Sequence, residues 1–93
     1  MLEIEEKDFE KETKEGVTLV DFFATWCAPC RMMAQILPDI ESELDGKVKI
    51  VKVDVDKNPN LARQYGVMSI PTLIIFKDGK ESRRPSGLRK TIN

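Results

Sequence analysis

The sequence predicts an α/β domain, a mixed β-sheet flanked by helices, in the order β-α-β-α-β-α-β-β. Three observations carry that prediction. Residues 17–24, Val-Thr-Leu-Val-Asp-Phe-Phe-Ala, are apolar on both alternating faces, as a central strand covered on both sides should be. Residues 48–55 read as a second core strand, and a long stretch of helical periodicity lies between the two, which is what a parallel crossover needs. Asp78-Gly79, following the strand-like residues 72–77, is a strong hairpin signal and sends the chain back antiparallel.

Taken in order, Leu2 and Ile4 alternate with glutamates as a short edge strand. Residues 8–15 read as a charged surface helix stopped by Gly16. After the first core strand, in which Asp21 is the anomaly, Met32, Met33, Ile36, Leu37, Ile40 and Leu44 recur at helical spacing from Pro29 onward, and Asp45-Gly46 provides the exit. Met32 and Met33 are read as plain helix packing. Pro38 removes a hydrogen bond from that helix and predicts a kink. In the second core strand Lys49 and Lys52 fall on opposite faces, so one of them is expected to point inward. Asn58-Pro59-Asn60 caps a short helix over residues 61–65, which ends at Gly66. The return strand after the hairpin is weakly written: Lys80-Glu81-Ser82-Arg83-Arg84-Pro85 has no apolar alternation and carries a proline, which restricts it to a sheet edge. The domain is expected to span residues 1–87, with residues 88–93 a short basic tail.

Ninety-three residues fit one domain and leave no room for a second. The 41% hydrophobic and 33% charged fractions are those of an ordinary globular chain. Lysines and arginines number 15 against 16 aspartates and glutamates, so there is no basic excess to attract nucleic acid or an anionic membrane, and neither is expected as a partner. No apolar run approaches the roughly 18 residues of a membrane span. The acidic start, Met1-Leu2-Glu3-Ile4-Glu5-Glu6, lacks the basic and apolar regions of a signal peptide, which points to the cytoplasm. With no histidine, Ser-His and Cys-His hydrolytic chemistry is excluded.

The chain's two cysteines stand together in Trp26-Cys27-Ala28-Pro29-Cys30, at a strand-to-helix junction. Disulfide exchange needs an accessible thiolate to attack and a neighbouring thiol to resolve the mixed disulfide. At the first turn of a helix, orphan N–H groups and the positive helix end draw the pKa of Cys27 below its usual ~8.5, while Cys30, one turn further in, is expected to be more buried and protonated. Pro29 sits where its missing N–H costs nothing, and with Ala28 it stiffens the loop. Two other readings stand beside this one. The cysteines could be small buried hydrophobes, or half of a zinc or iron–sulfur site completed by a second chain, since about four ligands are needed. Asp21, in an apolar strand, is expensive to ionise, so its pKa is expected to rise into a range useful for acid–base work.

Together with Val20-Asp21-Phe22-Phe23-Ala24-Thr25, Lys52-Val53-Asp54-Val55-Asp56, Ser69-Ile70-Pro71-Thr72 and Lys77-Asp78-Gly79, that pentapeptide resembles the thioredoxin family, and the likeness runs from about residue 3 to Gly87. The resemblance implies a protein disulfide oxidoreductase in which Cys27 attacks and Cys30 resolves. It implies no bound cofactor, electrons from a thioredoxin reductase, and disulfide-bearing client proteins as partners. Asp21 then matches a buried carboxylate that moves the proton of Cys30, and Lys52 matches its neighbouring lysine. Pro71 matches a cis-proline facing the disulfide, an arrangement that leaves the backbone of Ile70 to pair with an extended substrate. Trp26, Ala28, Pro29, Ile70, Pro71 and Gly87 would form the substrate-binding surface, with core filling as the competing role for Trp26.

Three departures from the family pattern stand out. Ala28 replaces the more frequent glycine. Gln35 stands where the family kinks its helix with proline, with Pro38 three residues later. The family's closing amphipathic helix has no counterpart after Gly87, which predicts a final helix missing or truncated, a sheet face left partly bare, and a homodimer packed through it. A redox-dependent interaction module, or a marginally folded truncated domain of weak activity, are the alternatives to a working reductant.

Overall fold

The computed structural model describes residues 1–83. Five strands, β1 (Leu2–Glu3), β2 (Val17–Phe23), β3 (Val48–Asp54), β4 (Thr72–Lys77) and β5 (Lys80–Arg83), and three helices, α1 (Glu6–Thr13), α2 (Ala28–Glu43) and α3 (Pro59–Gln64), follow the predicted order. They form one sheet in the order β1-β3-β2-β4-β5. β2 runs parallel to β3, and β3 to β1, as helical crossovers dictate; β4 runs antiparallel to both β2 and β5.

Strand alternation sorts the core into two layers. Val20 and Phe22 of β2, Val51 and Val53 of β3 and Ile74 and Phe76 of β4 share one layer with Phe9 of α1 and Leu61 of α3. Phe9, Tyr65 and Phe76 meet there with ring centroids 5.2–5.4 Å apart. The opposite layer holds Leu19, Leu37 of α2 and Ile50, with Met33, Leu73 and Ile75 packed against them. Ile74 and Phe76 are fully buried while Leu73 and Ile75 keep partial exposure, so the α2 side of β4 is the less covered one. Among the described residues no helix follows β5. The expected boundary at Gly87, the basic tail and the closing segment all lie outside the described residues.

Several local expectations shift. α1 begins at Glu6 rather than residue 8, because its first N–H, that of Glu6, donates to Asn58 Oδ1 at 2.8 Å from across the fold. The Asn58 amide also donates to the Asp54 carbonyl at 3.0 Å, so Asn58 caps α1 and ties it to the end of β3; its side chain does not cap α3. α2 contains Pro38, as expected, but its apolar positions divide. Leu37 is buried and Met33 half-buried, whereas Met32, Ile36 and Ile40 face solvent, Met32 at 70% exposure. The expectation that Met32 packs is therefore corrected: positions 32, 36 and 40 lie one above another on the outer side of the helix, beyond the width the sheet covers. At the hairpin, Asp78 and Gly79 both take positive φ, 51° and 88°, the pattern of a type I′ turn. β5 is an edge strand with a register irregularity opposite Ile75 and Phe76. Lys49 points outward and pairs with Glu12, leaving Lys52 as the inward lysine.

Candidate active site

The end of β2 delivers the chain through a tight turn, in which Cys27 N–H donates to the Ala24 carbonyl at 3.2 Å, into the first turn of α2. Cys27 is the N-cap of that helix: its backbone is extended, and its sulfur accepts from the Cys30 N–H at 3.1 Å, the place a serine or aspartate oxygen takes in an ordinary cap. Ala28 opens the helix and Pro29 follows without loss of a hydrogen bond; both are exposed. Cys27 and Cys30 form a disulfide with Cα atoms 5.2 Å apart. In the disulfide form the two sulfur-bearing residues are almost equally buried, at 4% and 3%. The reason is tertiary: Phe23, Ala24 and Ile70 close over the pair.

Ile70 comes from the loop before β4. The Ile70–Pro71 peptide bond is cis, and the Ile70 carbonyl oxygen lies 3.9 Å from Cys27 Sγ. Pairing between β2 and β4 stops at Phe22 and Thr72, so the backbone of Ile70 stands outside the sheet ladder. The loop is anchored by the Thr72 hydroxyl, which donates to the Ser69 carbonyl. Trp26, two-thirds exposed, is a surface residue and not core filler. Its indole N–H donates to Asp56 Oδ2 at 2.8 Å, and the Asp56 N–H in turn donates to Asp54 Oδ1 at 2.9 Å. Asp56 is a neighbour that sequence reasoning missed; nothing local to either residue signals a contact thirty positions apart.

Asp21 lies on the α2 side of the sheet between Leu19 and Phe23, flanked across the strands by Lys52 of β3 and Leu73 of β4. It is fully buried, and neither carboxylate oxygen has a hydrogen-bond partner. Burial pushes its pKa up from 3.8 to about 6, and the positive charge of Lys52 offsets part of that rise. The Lys52 ammonium sits 4.4 Å from the centre of the Phe23 ring. A cleft of about 260 Å³, lined by Phe23, Ala34, Lys52 and Cys30 among others, opens beside this side of the pair. The structure therefore brings Cys27, Cys30, Ile70 and Pro71 together around the disulfide and sets Asp21 and Lys52 beneath α2. Gly87 lies outside the described residues. Among the described residues no group of three or more His, Cys, Asp or Glu side chains converges as a metal site, and no helix is long and apolar enough to cross a membrane.

A mixed sheet that carries a Cys-x-x-Cys disulfide at the N-terminus of the helix crossing from β2 to β3, faced by the Ile70–Pro71 loop, defines a thiol–disulfide oxidoreductase. Comparison with known proteins makes the class specific. The family model described as Thioredoxin matches residues 1–93, and the chain belongs to the thioredoxin family. It is 46% identical over 93 residues to a thioredoxin of Staphylococcus epidermidis and 45% identical to one of Staphylococcus aureus, in each case over the whole of this chain and 89% of the relative. Its structure superposes on the X-ray structure of Fasciola hepatica thioredoxin with a TM-score of 0.82 at 40% identity, covering 99% of this chain and 96% of that one.

Proposed function

We propose that the protein is a general dithiol–disulfide reductant of protein disulfides, with Cys27 as the attacking sulfur and Cys30 as the resolving one. The observation that carries this is the place of Cys27 Sγ, at the N-cap of α2, accepting from the Cys30 N–H and lying alongside the Ile70 carbonyl. In the reduced form that position favours a thiolate. The thiolate attacks one sulfur of the client; the client S–S bond breaks, one client thiolate leaves, and a mixed disulfide forms on Cys27. Cys30 then loses its proton, with the buried Asp21 carboxyl as the eventual acceptor, and attacks Cys27 Sγ, which releases the second client thiolate and leaves the Cys27–Cys30 disulfide. Asp21, with its pKa near 6, exchanges that proton close to neutral pH, and Lys52 keeps the carboxylate from rising further.

Trp26, Ala28, Pro29, Ile70 and Pro71 form the client-facing surface, and the Ile70 backbone pairs with the client as one short strand. A thioredoxin reductase restores the dithiol, no bound cofactor takes part, and the cytoplasm is the compartment that keeps the pair reduced. Residues 1–87 act as one domain with a short tail. The half-covered Leu73 and Ile75 mark where a second copy would pack; a single monomeric mass in light scattering at micromolar concentration removes that dimer from the reading.

Reductase-coupled insulin reduction tests the proposal. The native protein turns over, Cys27→Ser is inactive, and Cys30→Ser accumulates a covalent adduct with the client. Negligible activity in the native protein, equal to that of Cys30→Ser, would instead favour a redox-dependent interaction module.

A further inference from the structure

We infer that the cleft beside Cys30 is an anion subsite for the client, in which Arg31 selects an acidic side chain near the attacked cysteine; the inference rests on the disulfide-reductant reading above. Two cations line this cleft, Arg31 from the first turn of α2 and Lys52 from β3, and no aspartate or glutamate lines it. The ion pairs among the described residues are Lys49 with Glu12 and Lys57 with Glu3, so neither cleft cation has a carboxylate against it. Asp21, whose carboxyl Lys52 attracts, is fully buried and is not part of the cleft wall. The chain as a whole carries a net charge of −1, so the positive character here is local.

The two cations are held in place before a client arrives. Arg31 Nη1 donates to the Thr25 carbonyl at 3.1 Å, which uses one of the five guanidinium N–H groups and leaves the others for a visitor. That bond sets the planar fork at the rim, so less side-chain freedom is lost on pairing. Lys52 is half-buried, with its ammonium 4.4 Å from the centre of the Phe23 ring. Phe23, Ala24 and Ala34 make the remaining walls apolar, which suits the methylene stem of a glutamate better than a free inorganic anion. The carboxylate at the end of that stem is the partner a guanidinium fork matches in shape as well as in charge. Continuity with the disulfide makes the occupant part of the client, because Cys30 itself lines the cleft. The Cα atoms of Cys27 and Cys30 are 5.2 Å apart, and a client residue one or two positions from its cysteine, at about 3.3 Å each, reaches across that gap.

The test uses the reduced protein and synthetic disulfide peptides in which glutamate, or glutamine in the matched peptide, is moved through the two positions on either side of the cysteine. Rates of attack are followed by thiol release and divided by the rate with dithiothreitol, which removes the effect of the glutamate on the peptide disulfide itself. At low salt the native protein is expected to prefer glutamate by about 5-fold at one or more positions, the size of a well-placed surface ion pair. Arg31→Gln is expected to bring that ratio to about 2-fold or less, Arg31→Glu to invert it, and Arg31→Lys to restore a preference for glutamate. In about 1 M sodium chloride, where the screening length is about 3 Å, the native preference is expected to fall. Because each ratio is taken within one variant, a general loss of folding or reactivity cancels. A native protein with no preference at any position, or a preference that survives in Arg31→Gln or is unmoved by salt, overturns the subsite and leaves the reductant reading standing. A native protein that attacks no peptide overturns both.

Discussion

Asp21→Asn should stabilise the protein at neutral pH, and the size of the gain follows from one buried carboxyl. Asp21 is fully buried, neither oxygen is hydrogen-bonded, and its pKa is raised from 3.8 to about 6 with the attraction of Lys52 already included. Well below the unfolded value of 3.8, folded and unfolded chains both hold the proton and the shift has no effect. Between about 4 and 6 only the folded chain holds it, so stability falls as pH rises, and above pH 6 the whole cost is in place. A shift of roughly two units at 1.36 kcal/mol each is about 3 kcal/mol. Asparagine, nearly the same shape and never charged, removes it. For a domain of this size that is an increase in Tm of roughly 12–24 °C. The measurement is urea unfolding of the oxidised protein at pH 8 and pH 4, read by the fluorescence of its single tryptophan. The expected gain is about 3 kcal/mol at pH 8 and under about 1 kcal/mol at pH 4. An equal gain at both pH values would mean that packing, and not charge, accounts for it; a loss at pH 8 would mean the carboxylate is held by a favourable partner, and the reasoning would fail.

Two further outcomes follow from neighbouring contacts. Lys52→Met removes the cation that lowers the Asp21 pKa, so the carboxyl should titrate above about 6, visible in a carbon-13 NMR titration; an unchanged or lower value would show that Lys52 acts through its packing on Phe23 alone. Asn58→Ala removes the donor to the Asp54 carbonyl and the acceptor of the Glu6 N–H at a buried position, and should cost about 1–3 kcal/mol in denaturant unfolding with the disulfide intact, whereas stability equal to the native protein would deny that bridge its role.

What the sequence made legible was what local physics writes. The strand runs, the Asp-Gly turn and the cysteine pair at a helix start each draw their geometry from neighbours within four residues, and the observed elements agree with them. The conflict between Asp21 and its apolar strand was also visible in advance, since burying a carboxylate is costly wherever it occurs. What stayed hidden depends on partners far along the chain. The start of α1 is set by Asn58, 52 residues away, so Glu5 and Glu6 carry no capping signature to read. The burial of Cys27 comes from Ile70, and the setting of Trp26 from Asp56. The apolar stripe of α2 misled in a different way. Periodicity reveals how wide the apolar arc is, but only the sheet beneath decides how much of that arc it covers, and Met32 fell outside.

The rims of the sheet bear on what this protein must avoid. One rim is β1, two residues long; the other is β5, four residues written Lys-Glu-Ser-Arg and thrown out of register opposite Ile75 and Phe76. Short, charged and irregular borders are poor templates for a foreign strand. A protein that handles loosened chains with exposed backbone meets the hazard of joining them edge to edge into an aggregate. Here the central strand β2 is paired along both sides, and the backbone beside the disulfide, at Ile70, is held clear of the ladder. The architecture thus separates touching a client from being recruited into it, and lengthening β5 with alternating valines would erode that separation before it altered the chemistry at Cys27.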